Sequence, residues 1–328
     1  MKEIKLSFFN LLKKVHGLVV GNAFIRKIPG LSLIYDLAFR VFWPYPEVLE
    51  IEESKMYLNV REKDATMRKT FQSYAISREW ESATTKLFRR LTKKGDVVID
   101  LGANIGYFTL LSARLVGEQG RVYSFEPEPK NFKYLKKNIE LNEYKNVFLQ
   151  NKAVSDKNGK IKLYICHYDS GHHTINQHKG IDSYKPDFKD KEEFVEIETV
   201  RLDDFLEGRE QKVDVMKIDI EGAEMLALSG MDKTIKQNKN LKIFVEFFPL
   251  LLKEMGVAPE DFLRKIFDEY RFSVFVIGHD YAMKGVSNKE FMRVTNTDEI
   301  MDLCKGKLDH LNLLLFKNNE EALLLEKI

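Results

Sequence analysis

From Trp80 onward the chain alternates apolar runs with stretches of helical spacing. Leu87, Phe88 and Leu91 mark a helix over Trp80–Leu91. Short apolar runs predict strands at Asp96–Leu101, Arg121–Glu126, Val147–Val154, Val213–Ile220, Leu241–Phe247, Phe272–Ile277 and His310–Phe316. Helical patterns fall between them at Tyr107–Leu115, Lys130–Leu141, Ala223–Leu228 and Glu260–Tyr270. Apolar strands separated by helices predict an α/β fold: a mostly parallel, seven-stranded sheet covered on both faces.

The segment before this rhythm reads differently. Residues 1–43 fit two amphipathic helices broken at Ile28-Pro29-Gly30 and closed by Pro44 and Pro46, and Val48–Val60 fits a strand or hairpin. The expected division is therefore an α-helical, basic N-terminal extension over 1–75 and a main domain over 76–328. The rhythm also breaks between Ser155 and Phe205. Lys160–Cys166 and Phe194–Val200 read as strands around a polar, turn-rich excursion, so a lid-like insertion is expected near 166–194.

Composition narrows the classes. With 328 residues, 44% hydrophobic, the chain can bury a full core. A net charge of +2 gives no field for nucleic acid, and two cysteines without a CxxC pair argue against a disulfide framework or thiolate zinc. A cytoplasmic setting is expected. Locally, residues 1–43 hold seven basic and two acidic residues among apolar ones. No apolar stretch there is long enough to span a bilayer, and no signal-peptide pattern is present. The segment reads either as a cap on the main domain or as a basic element resting peripherally on the inner membrane face.

The sharpest chemistry lies in VVIDLGANIGYFTLL, residues 97–111. Its turn lacks the G-x-G-x-x-G spacing of dinucleotide folds and the Gly-Lys-Ser/Thr ending of a P-loop. Asp100, Gly102, Asn104 and Gly106 instead form a turn that lets the backbone approach a nucleoside. Glu126, twenty residues after Gly106, ends the next strand. A carboxylate there suits two ribose hydroxyls and repels a 2′-phosphate, or it caps the following helix. Turn and carboxylate together suit S-adenosylmethionine.

The ordered motifs DLGANIGYFTLL, FEPEPKNFKYLKKNIELN, NKAVSD, DVMKIDIEGAEMLALSG and VEFF resemble the FkbM family of S-adenosylmethionine-dependent methyltransferases over about residues 80–250. The tail HLNLLLFK is similar to the family's last strand. The resemblance implies a Rossmann-like class I methyltransferase sheet with an antiparallel final strand, and O-methylation of natural products, sugars or glycans. It also implies a role for Glu81, in the pair Trp80-Glu81, near the amino-acid end of the cofactor.

An oxygen acceptor benefits from a base. Asp219 and Glu221, two apart after the fourth core strand, are the first candidates, with Glu224 a helical turn beyond; N-capping is the plain alternative. Lys217, polar within an apolar strand, could order a carboxylate. Glu246 ends the next strand at the same edge. His172 is a third catalytic candidate, with His173 beside it, because four of the seven histidines fall in the polar excursion. Three carboxylates could hold a divalent ion, but no ligand spacing demands one, so no metal ligand is assigned. The expected function is transfer of a methyl group to a hydroxyl of a small molecule, sugar, glycan or glycolipid. The alternatives are a small-metabolite O- or N-methyltransferase and an inactive binding module on the same fold.

Overall fold

The structure is a computed structural model that describes residues 6–12, 14, 31–167, 170–177, 192–278, 280, 290–306 and 309–326. The chain divides into two compact units, Met1–Arg78 and Glu79–Ile328.

In the first unit, residues 6–12 and Leu31–Phe42 are helical. Buried Phe9 packs edge-on against Phe39 and Trp43, with ring centroids 5.5 and 5.0 Å away. Strands β1 (Val48–Ile51) and β2 (Ser54–Tyr57) form an antiparallel hairpin. Its two turn residues, Glu52 and Glu53, both have left-handed backbones, the geometry of a tight two-residue turn. Helix Ala65–Ser77 has no counterpart among the expected elements. Its apolar residues Met67, Phe71 and Tyr74 are diluted by polar ones, and its one sharp signal is Asp64, whose carboxylate caps Thr66 and Met67 N–H. Asp36 ties this helix to Leu31–Phe42 by accepting from Arg68 and Gln72, each at 3.0 Å.

The second unit holds the remaining strands. They are β3 (Val97–Leu101), β4 (Arg121–Phe125), β5 (Val147–Gln150), β6 (Ala153–Val154), β7 (Gly159–Tyr164), β8 (Phe194–Val200), β9 (Val215–Ile218), β10 (Lys242–Phe247), β11 (Ser273–Ile277), β12 (Phe291–Val294) and β13 (Leu311–Phe316). Eight of them form one sheet in the order β12-β11-β13-β10-β9-β3-β4-β5. β10, β9, β3, β4 and β5 pair in parallel, and β13 runs antiparallel between β10 and β11. This is the expected Rossmann-like class I sheet with its reversed strand. β12, antiparallel at the edge, adds an eighth strand to the expected seven. The central strands β3 and β9 are buried at every position, as helices on both faces require.

One expected strand splits. Val147–Val154 leaves the sheet at Asn151, whose side-chain amide donates to the carbonyls of Glu126 and Pro127 at 2.8 and 3.0 Å. These bonds hold the turn against β4, so β6 is free to join β7 and β8 in a three-stranded sheet. Tyr164 and Thr174 exchange backbone hydrogen bonds at 2.8 and 3.2 Å, which folds the start of the polar excursion back on β7. The rest of the expected lid, residues 178–191 and with them His178, lies outside the described residues.

The helix after β3 leads to β4 on one side, while β9 lies on the other. The carboxyl ends of β3 and β9 therefore flank the topological switch, where open α/β sheets bind ligands.

Candidate functional site

An open cleft lies at this edge. Gly102, Asn104, Glu126, Asp219, Glu221 and His173 are among its lining residues.

The glycine turn is built by close packing. The Gly102 N–H donates to Phe125 O at 3.0 Å, and its φ is +83°. A Cβ at Gly102 would lie 1.8 Å from the Asp219 carbonyl, so no side chain fits between the ends of β3 and β9. Asn104 takes a left-handed backbone with φ 50°, a conformation asparagine tolerates, and its N–H donates to Glu126 Oε2 at 2.8 Å. Gly106, φ +102°, opens helix Tyr107–Val116.

Glu126 accepts a second bond, from the Glu128 N–H at 2.9 Å. Burial pushes its carboxyl up to about 8, against the pull of these two backbone donors. It does not cap helix Pro129–Asn142; Glu128 does, accepting from the Asn131 N–H at 2.6 Å. That leaves Glu126 to face the cleft. Lys152 also lines the cleft but pairs with Glu198 at 2.8 Å.

Asp100 sits beneath the turn. Thr109 Oγ1 donates to it at 2.6 Å, and burial raises its carboxyl to about 6. It joins β3 to the following helix and is not among the residues lining the cleft. Phe108 is core, with the Lys217 ammonium 5.1 Å from its ring centroid.

A second acidic centre surrounds Lys217, which is 2% exposed. Its Nζ lies 3.1 Å from Asp219 Oδ2 and 3.5 Å from Glu81 Oε2. Burial works against its charge, but Asp219, Glu81 and Glu246 outweigh burial and hold it protonated. Glu246 is pushed well above the usual carboxylate range, first by burial and then by Asp219, Glu221 and Glu81. Asp219, Glu221 and Glu246 each bring an oxygen within 4.8 Å of the others. Oxygen ligands at such separations could hold a divalent ion. Lys217 already supplies positive charge to Asp219. Glu224 is not part of this group: it is buried and accepts from the Ile220 and Gly222 N–H groups at 3.4 and 3.2 Å. It thereby shapes the turn that presents Glu221, whose φ is 54°.

Glu81 has its own support. It precedes helix Ser82–Leu91 but gives that helix no side-chain cap. Asp280 does so instead, accepting from Ala83 and Thr84 N–H at 2.7 and 2.9 Å, with Asn312 Nδ2 also bonded to it at 3.2 Å. Asn312 is the β13 residue paired with Glu246 of β10. Asp280, Thr84 and Asn312 had no local signal, because they meet across about two hundred positions.

The polar excursion contributes His173 to the cleft; His172 is not among its lining residues. The Cys166 N–H donates to His173 Nδ1 at 3.0 Å, which puts the neutral ring's proton on Nε2. The loop is pinned to helix Pro129–Asn142 by the Asn131 amide, which donates to Ser170 O at 3.0 Å. Adjacent histidines in a loop carry no periodicity, so the sequence could not choose between them.

Strand order, reversed β13 and a glycine turn answered by Glu126 define the class I methyltransferase architecture. Residues 100–274 match the model of the methyltransferase FkbM domain. The chain belongs to the FkbM methyltransferase family, a family of S-adenosylmethionine-dependent enzymes. It is similar to Methyltransferase 1 of Beauveria bassiana (strain ARSEF 2860), 32% identical over 145 residues, covering 41% of this chain and 58% of that protein. It is also similar to the 31-O-demethyl-FK506 methyltransferase FkbM of Streptomyces tacrolimicus, 31% identical over 161 residues, covering 43% of this chain and 61% of that one. The chain thus spans about three fifths of the length of these curated relatives. Among solved structures it resembles methyltransferase FkbM from Methylobacillus flagellatus KT, with a TM-score of 0.35, 13% identity, and coverage of 78% of this chain and 56% of the other.

Proposed function

We propose that the chain is an S-adenosylmethionine-dependent methyltransferase that methylates a hydroxyl of a sugar, glycan or glycolipid. We also infer a cytoplasmic enzyme that meets the inner membrane face peripherally through its N-terminal segment. The observation that supports methyl transfer is the pairing of Glu126 with Asp219 and Glu221 in one cleft. The cofactor, when bound, supplies a methyl group already activated on a sulfonium. Glu126 would accept from the ribose hydroxyls, and the Gly102–Gly106 turn would let the nucleoside approach the backbone. Asp219 or Glu221 would take the proton of the acceptor hydroxyl that meets this methyl group. Lys217 and Glu81 fix Asp219 in place, and His173 lines the same cleft as a hydrogen-bond partner for the acceptor or the base.

A small-molecule acceptor is the second reading, favoured by the name of the Streptomyces tacrolimicus relative, which describes a methyltransferase for 31-O-demethyl-FK506. Methyl-labelled cofactor incubated with fractionated glycans, lipids and metabolites separates the two. Labelling of glycan or glycolipid fractions is expected; labelling confined to small metabolites would replace the first reading by the second. Asp219→Asn and Glu221→Gln are expected to lower turnover by about a hundredfold or more in at least one case. Cofactor affinity by calorimetry should stay near wild type. Full turnover in both variants would remove the carboxylates from the base role and leave His173 as the next group to replace.

A further inference from the structure

The first unit carries an apolar surface that its own packing does not use. Residues 6–12 and Leu31–Phe42 meet through Phe9, Phe39 and Trp43, all at most 2% exposed. On Leu31–Phe42, the residues Ile34, Leu37 and Val41 point the other way and are 65, 53 and 50% exposed. Their spacing of three and four places them on one helical face. On the neighbouring helix Leu6 and Leu11 are 39 and 57% exposed, and Phe8, 48% exposed, has one ring face stacked on Phe42 at 4.7 Å between centroids. These six make up more than half of the large exposed apolar side chains among the described residues; the others are scattered through the second unit.

Charge identifies the occupant. Residues 1–43 contain two acidic residues against seven basic ones. Asp36 pairs with Arg40 and Arg68 at 3.2 and 3.0 Å, which engages one acidic and one basic residue of this segment and leaves six basic residues against Glu3. An apolar face within a cationic segment fits an anionic surface. A second copy of the same face would bring two cationic segments together, so self-association is disfavoured. Among the described residues no helix is long and apolar enough to cross a membrane. The two described helices that carry these side chains would therefore lie in the plane of the interface, with their apolar side chains among the acyl chains.

We propose that this face is a docking surface for an anionic lipid bilayer. The inference rests on the peripheral-membrane part of the proposed function and is independent of its methyl-transfer part. Each basic residue at the surface should strengthen binding about fivefold, and salt should erode that gain.

The test is flotation of the full chain with phosphatidylglycerol-containing vesicles and with pure phosphatidylcholine vesicles, at low and high salt. Calorimetry with S-adenosylmethionine on the same samples reports whether the second unit is intact. Co-flotation with the anionic vesicles at low salt is expected, with at least tenfold weaker binding at high salt. The double variant Ile34→Asp, Leu37→Asp should lose vesicle binding at least tenfold and keep its cofactor affinity; both side chains are exposed, so the fold tolerates them. A full chain that stays unbound at low salt, or a variant that floats like wild type, would overturn the inference. So would a dimer in sedimentation that the variant dissolves, because the occupant would then be a second copy. If vesicle binding fails while the cofactor still binds, the lipid inference alone falls. If the cofactor fails to bind while vesicles do, the methyltransferase reading falls and this one stands.

Discussion

Two acidic centres share the carboxyl edge of one sheet and are built in opposite ways. At Glu126 a single buried carboxylate meets neutral donors, the backbone N–H groups of Asn104 and Glu128 and the side chain of Asn131. At Lys217 several carboxylates surround one buried ammonium. Donors set by the turn and by helix Pro129–Asn142 make the first centre rigid, which suits the ribose-accepting role proposed for it. Side-chain charges in the second balance one another, so moving one proton there shifts the others. A fixed acceptor suits recognition, and a coupled cluster suits proton transfer.

The charge cluster depends most heavily on Lys217. Lys217→Met strips Glu81 and Asp219 of their buried counter-charge, and removing one partner of such a pair costs about 3–5 kcal/mol. Urea unfolding should show this loss, and the double variant Lys217→Met, Glu81→Gln should recover part of it. An unchanged midpoint would mean that the ammonium is not holding the cluster together.

Gly102→Ala tests whether the two centres are mechanically joined. Its Cβ would meet the Asp219 carbonyl at 1.8 Å, at a backbone angle that L-residues avoid. Overpacking with a left-handed residue should cost roughly 2–4 kcal/mol and displace both the turn and β9. Cofactor affinity and turnover should therefore fall together. A fall in only one would show that the centres move separately.

Glu126→Ala sharpens the recognition half. Above about pH 8, where Glu126 is ionised, ribose hydrogen bonds to a charged acceptor are worth about 1.5–3 kcal/mol each, so calorimetry there should find S-adenosylmethionine at least about tenfold weaker. Stability should change less than in the Lys217 variant, because no buried partner charge is orphaned.

The smallest effect is a pH dependence. Without ligand, Glu126 keeps its proton up to about 8 because it is buried. Ribose hydroxyls donate to the ionised form, so binding lowers this pKa and releases a proton. Affinity should then rise with pH below about 8, by at most about tenfold per unit, and level off above it. The slope should vanish in Glu126→Ala. A slope that persists there belongs to the other centre.

How much of this was legible in the sequence depended on distance along the chain. The turn and Glu126 were readable because strand, glycine spacing and next strand end lie within thirty residues and obey one geometry. Asp219 and Glu221 are readable for the same reason; spacing alone groups Glu224 with them, and only its bonds to the Ile220 and Gly222 N–H groups set it apart. The role of Glu246 against Lys217 needed the order β13-β10-β9, which no local pattern states. The split of Val147–Val154 turned on one asparagine side chain binding the carbonyls of another strand end. Helix Ala65–Ser77 was hidden by its polar composition, and β12 by its position beyond a reversed strand.

The cap that Asp280 gives to helix Ser82–Leu91 also orders events in time. The helix leaves the ribosome long before its cap, because Asp280 and Thr84 are 196 residues apart. The glycine turn and Glu126 are complete within the first half of the second unit. Glu81 gains its final support only when β10, β11 and Asp280 have been made. A nascent chain therefore assembles its glycine turn early and its charge cluster late. Because closing so long a loop costs entropy before the new bonds repay it, the cluster should also be the last part to become protected when the purified chain refolds.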